Sequence, residues 1–307
     1  MKEVNKKWYC FITLLLLLSG CTQYDEELLQ NEKMEVFTAF ISAENTRTGL
    51  ADDGKGVLWN KGDALTIFRK NSYNTKYVLS TGENTKSGVF KYASVFTGDG
   101  SIEGIDQYYS VYPYDGDITI TTDKKVMIVV PEEQTYIENS FDGKSAFMTA
   151  VSATEELSFK NAYSVLKVNL KSMPGYSYDV SKLIVSSKTK AMNGEATIDM
   201  TSSVPVMTLG EVTDNNKVLT LNCGKGIVVD NPTNAIPFYL VVAPGTYPKE
   251  DLTLTVCYTN GTSESVVIPA ELTFERSKIF TANYICGNND IIGGIPDFTS
   301  TDADLKN

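Results

Sequence analysis

The chain has 307 residues, with 27 Lys and Arg against 38 Asp and Glu, a formal charge of −11 at pH 7, and no histidine. That acidity excludes the basic stripes by which proteins hold nucleic acid, and it offers no electrostatic grip on anionic lipid head groups. Without histidine, Ser-His-Asp and Cys-His catalysis and every imidazole metal site are ruled out.

In chain order the first feature is the apolar run of residues 11–18, preceded by Lys2, Lys6 and Lys7 and followed by the small pair Ser19 and Gly20. It is too short to span a bilayer, which needs about 20 apolar residues. A basic head, an apolar middle and small residues at the exit make residues 1–20 an export signal. Leu18-Ser19-Gly20-Cys21 resembles the bacterial lipobox, cut between Gly20 and Cys21, after which the Cys21 thiol carries diacylglycerol. Several acyl chains on one residue anchor a protein to a membrane where a single chain is marginal. Cleavage removes three lysines and one glutamate, so −11 becomes −13. Residues 21–33 read as a polar, acidic tether. Within it, Asp25, Glu26 and Glu27 resemble the acidic signal that sends such lipoproteins to the cell exterior; a solvated linker is the simpler alternative.

Beyond the tether the pattern is strand after strand. "MEVFTAF", "ALTIF", "TKYVLS", "GVFKY", "QYYSVYPY", "DITITT" and "KVMIVV" alternate with period two, separated by Gly, Asn, Asp and Pro. "LKVNLK" points Leu166, Val168 and Leu170 to one face; "KLIVSS", "ATIDM", "VPVMTL", "KVLTLNC", "PFYLVVAP", "LTLTVCY", "SVVIPA" and "FTANYIC" continue the pattern. Asn260-Gly261 reads as a tight hairpin in which both residues take positive φ. About sixteen strands exceed the seven to nine of a single sandwich, so the chain is read as all-β with two sandwich domains. The divisions are 34–157 and 158–290, with 291–307 as a loose tail.

Three cysteines remain once Cys10 leaves with the signal and Cys21 is lipidated. Alternation turns Cys223 and Cys286 inward and Cys257 outward. Either Cys223 and Cys286 form a bridge or both are buried free thiols.

The stretches "TRTGLADDGKGVLWNKGDALTIF", "YYSVYPYDG", "VPEEQ" and "LSFKNAYSVLKVNL" together resemble the fimbrillin family of type V pili, over roughly residues 34–287. The resemblance implies two transthyretin-like, Greek-key β-sandwich domains and a lipoprotein precursor anchored in the outer membrane through Cys21. It implies a cell-surface fimbrial subunit or accessory adhesin whose partners are other subunits, joined by strand addition. Such precursors mature by cleavage after an Arg in the first domain, and a neighbour's strand then fills the groove. Here Arg47, before Thr48, is the candidate cut, and "MEVFTAFIS" the strand released. The donor candidate is "DIIGGIPDF", interrupted by Gly293 and Gly294. No cofactor is implied.

Other chemistries are weighed against this. Tyr108, Tyr109, Tyr112 and Tyr114 could stack on sugars, making a lipoprotein that binds glycan or host ligands the rival class; ordinary packing of strand aromatics is the simpler account. A glycosidase needs two carboxyls about 5–10 Å apart across a cleft, whereas "DEE", "PEEQ" and "TEE" read as solvated runs. "ADDGKG" and "YDGD" lack the spacing of a calcium loop, and no metal site is expected.

Overall fold

Alternating apolar side chains make this chain strand nearly throughout. The computed structural model describes residues 35–41, 58–68, 73–95, 107–287 and 303–304. In order, the strands are β1 (Val36–Ile41), β2 (Ala64–Phe68), β3 (Thr75–Thr81), β4 (Ser87–Val95), β5 (Tyr108–Tyr112), β6 (Thr119–Ile120), β7 (Lys125–Val130), β8 (Glu133–Thr135), β9 (Met148–Ser152) and β10 (Glu156–Asn161). There follow β11 (Ser164–Lys171), β12 (Tyr178–Ser187), β13 (Gly194–Asp199), β14 (Met207–Leu209), β15 (Val218–Val229), β16 (Ile236–Val242), β17 (Gly245–Tyr247), β18 (Leu252–Tyr258), β19 (Ser263–Val267), β20 (Leu272–Phe274), β21 (Lys278–Ile285) and β22 (Ala303–Asp304). The protein is all-β. No helix among the described residues is long and apolar enough to cross a membrane.

The first strands close into a barrel in the order β1-β10-β9-β5-β2-β3-β4. Two further sheets, β16-β11-β21-β22 and β19-β18-β12-β15-β8, face each other across a second core. The wall strands explain their own sequence. In β11, Val165 joins the barrel-side cluster, while Leu166, Val168 and Leu170 join the second. In β16, Tyr239 and Val241 face the first cluster and Phe238, Leu240 and Val242 the second. A strand buried on both faces reads as a continuous apolar run, as "PFYLVVA" does.

Two pairings run across residue 157. β7 pairs antiparallel with β13, Ala196 opposite Ile128, and β8 pairs parallel with β15, Leu221 opposite Gln134. Gln134 is fully buried and ties the sheets directly. Its amide donates to the Val241 carbonyl and its Oε1 accepts from the Val241 N–H, both at 2.8 Å. The described residues from Val36 onward form one compact unit containing both cores.

Some local expectations meet a different geometry. At the β18–β19 turn only Gly261 has positive φ, +85°. Asn260 instead accepts from the Thr262 N–H at 2.9 Å and its hydroxyl at 2.7 Å, so its side chain does the turning work expected of its backbone. Ala303–Asp304, within the segment read as a loose tail, pairs antiparallel with Lys278–Ile279. Cys223 and Cys286 are buried and Cys257 half-buried; all three are free thiols.

Candidate functional site

The strand singled out as removable occupies a defined seat. β1 lies between β4, antiparallel, and β10, parallel; every other pairing in the barrel is antiparallel. Without it, β4 and β10 would each present a row of unpaired N–H and C=O groups. The Thr38 N–H donates to the Glu155 carbonyl and the Ile41 N–H to the Lys86 carbonyl, each at 2.9 Å.

Three inward side chains fill the seat. Phe37 is fully buried, with edge-on contacts to Tyr77 and Tyr108 at ring-centroid distances of 4.9 Å. Ala39 is fully buried opposite Gly88 of β4, and Ile41 lies opposite Phe159 of β10. Above the middle position sits Trp59. Its indole N–H donates to the Ala39 carbonyl at 3.2 Å, and its ring meets Phe90, Tyr112 and Phe159 edge-on at 5.0, 5.6 and 5.7 Å. Gly88 is glycine for the same reason. A Cβ there would come within 2.6 Å of Leu79 Cδ1 and 2.9 Å of Trp59 Cδ1. The seat therefore takes a large, then a small, then a branched side chain.

At the far end of the chain a second group of buried polar side chains pins the exit of β21. Glu264, 4% exposed, accepts from the Gly287 N–H through both oxygens at 3.0 Å and from the Tyr258 hydroxyl. Burial, then the hydrogen bond to Glu264, pushes the Tyr258 phenol far up; burial and Glu264 do the same to Tyr284. These hydroxyls stay protonated and serve as donors.

The lipidation and signal positions Gly20 and Cys21, the acidic Asp25, Glu26 and Glu27, and the cleavage pair Arg47 and Thr48 lie outside the described residues. Of the tyrosine cluster, Tyr109 and Tyr112 are buried in the first core and only Tyr108 and Tyr114 reach the surface in part. Burial and then Asp63 push the Tyr112 phenol well up, and its hydroxyl donates to Asp63 Oδ1 at 3.1 Å. Among the described residues no group of three or more Cys, Asp or Glu is placed to hold a metal ion. Trp59 is fully buried in the first core. The Gly88–Ala39 pairing had no signal in the sequence, because partners 49 residues apart meet only in the folded sheet.

No curated protein matches the chain. A candidate cell adhesion protein from Bacteroides ovatus is similar in fold at 13% identity, with a TM-score of 0.52 over 82% of this chain and 92% of that one. A candidate cell adhesion protein from Bacteroides uniformis reaches 14% identity and a TM-score of 0.48, over 83% and 93% of the two chains. The tip fimbrial protein Mfa3 from Porphyromonas gingivalis, truncated at its C-terminus, stands at 9% identity and a TM-score of 0.28, over 81% and 94%. The fimbrillin-like family model matches residues 46–301, most of the chain, and the protein belongs to that family.

Proposed function

We propose that this chain is a structural subunit or accessory adhesin of cell-surface fimbriae, without enzymatic activity. It reaches the outer membrane as a lipoprotein on Cys21, its export aided by Asp25, Glu26 and Glu27, and joins its neighbours by donor-strand exchange. The observation that carries this reading is the seat of β1. A cut between Arg47 and Thr48 leaves β1 held by hydrogen bonds and three side chains alone. Its departure opens an edge that an extended segment fills, with main-chain bonds supplying affinity and alternate side chains specificity. Ile291, Gly293 and Ile295 repeat the large–small–branched order of Phe37, Ala39 and Ile41 at the same spacing. Gly293 suits the position beneath Trp59, so the glycine that interrupts the donor candidate supports it. A segment given by one molecule to the next is a head-to-tail contact that propagates.

In the same reading the chain is two transthyretin-like sandwich lobes dividing near residue 157; two hydrophobic clusters support two lobes, the first of them also drawing on β11, β13 and β16 from beyond that point. The test is the mass and first residue of the protein isolated from its native surface, with and without residues 288–307. Strand exchange expects chains starting at Thr48 in denaturant-resistant ladders that vanish with the tail. Chains starting at acylated Cys21 and retaining β1 overturn the polymerising role.

A further inference from the structure

Two clefts meet at the loop that follows β5, away from the seat of β1. One, about 660 Å³, is lined by Asp63, Lys76 and Glu138 among others; the second, about 720 Å³, by Asp117, Val129 and Glu195; both include Pro113, Tyr114 and Lys144. Each lies within the range of about 300–1,000 Å³ common to small-molecule sites. Tyr114 forms the wall between them. The Lys76 ammonium covers its ring, 4.7 Å from the centroid, and lines only the first cleft.

The loop is held from behind. Buried Asn74 donates through Nδ2 to the carbonyls of Asp115, Gly116 and Ile118 at 2.7, 3.3 and 3.1 Å. The Tyr114 N–H donates to the Ala64 carbonyl at 2.8 Å. The facing loop is set by Asp142, which accepts from the N–H groups of Thr135 and Lys144 at 3.0 Å. A wall fixed this way loses little entropy when a ligand arrives.

The polar groups at the rim are of both kinds. The carboxylates of Glu138, Asp117 and Glu195 accept no hydrogen bond among the described residues, and neither Lys76 nor Lys144 is in an ion pair there. Carboxylates and ammonium groups thus both line clefts that share an aromatic wall, beside apolar surface that includes Val129, 61% exposed.

The geometry points to a binding site for a neutral oligosaccharide. Sugar hydroxyls donate to free carboxylates and accept from ammonium groups at once, while the C–H face of a pyranose lies against Tyr114 and Pro113. A basic peptide would satisfy the carboxylates but would meet Lys76 and Lys144 as like charges. An acidic ligand would meet the three free carboxylates.

The test uses the uncleaved full chain, so its outcome is independent of strand exchange. Binding is measured to maltohexaose, mannopentaose and an N-acetyllactosamine hexamer, with pentalysine as the basic peptide. The inference expects one or more neutral oligosaccharides to bind. Tyr114→Ala, and separately the exposed rim change Glu195→Gln, should weaken that binding about tenfold or more, the equivalent of about 1.4 kcal/mol. Tyr114→Phe should keep most of it, and an unchanged Tm for Glu195→Gln separates lost contact from lost fold. Binding of none of the three, binding indifferent to both changes, or binding of pentalysine alone overturns the inference.

Discussion

The indole N–H of Trp59 donates to the carbonyl of Ala39 at 3.2 Å, on the strand whose neighbour across the sheet is Gly88. Two minimal side chains meet beneath one maximal one, and each size depends on the others. A native interior leaves almost no slack for an added methylene.

The first prediction concerns that fit. Ala39→Leu drives a branched side chain into the space beneath Trp59 and should cost about 1–3 kcal/mol, the usual range for overpacking. Phe40→Ser, on the outward face of the same strand, should cost under about 0.5 kcal/mol, as surface changes do. Urea midpoints of the two variants decide it. Equal costs would mean that the seat does not select by size.

A second prediction follows from Gln134. Its side chain bonds both backbone groups of buried Val241 on that side of β16. Gln134→Leu has the volume to fill the site but neither bonding group. Leaving a donor and an acceptor buried without partners should cost about 2–4 kcal/mol. Glu132→Ala, exposed two residues earlier, serves as the control.

Thiol reactivity gives a third. Burial pushes the Cys223 and Cys286 thiols up to about 12, while Cys257 is half-buried and less perturbed, with Lys182 opposing its burial. The thiolate is the reactive form. Alkylation of the folded protein at pH 8, mapped by mass, should therefore label Cys257 first. Cys223 and Cys286 should follow only in denaturant. Early labelling of either buried cysteine would contradict the packing around it.

The same shifts set a dependence on pH. An unfolded thiol titrates near 8.5 and a phenol near 10. In the folded chain Cys223, Cys286 and Tyr247 all rise to about 12, each chiefly through burial. The folded state thus holds these protons more tightly than the unfolded one. The stability they contribute is complete below the unfolded values and is lost as pH climbs toward 12. The urea midpoint should be flat from pH 7 to 8 and fall steadily above about 8.5. A midpoint that rises over that alkaline interval would refute the assignment.

Much of this protein was legible along the chain because strand periodicity is local. Every alternating run within the described residues is a strand, and inward positions such as Phe37, Leu166 and Cys223 are buried. Strands of weak alternation went unread: β8, β17 and β20 span three residues each, and β9 has Thr149 buried among its apolar neighbours. Partnerships between distant segments were not legible at all. No local pattern says that β1 runs parallel to β10, that β8 crosses to β15, or that Asn74 braces a loop more than forty residues later.

By itself the amino-acid order determined the all-β class, the inward and outward faces, the absence of imidazole chemistry and the likeness to fimbrillins. Each of these rests on residue type or on neighbours two positions apart. Only the tertiary structure decided which strand closes the barrel, which side-chain sizes its seat accepts and where Tyr114 becomes a wall between two clefts. Those depend on which distant residues share a space, and close packing enforces that across the sheet rather than along the chain.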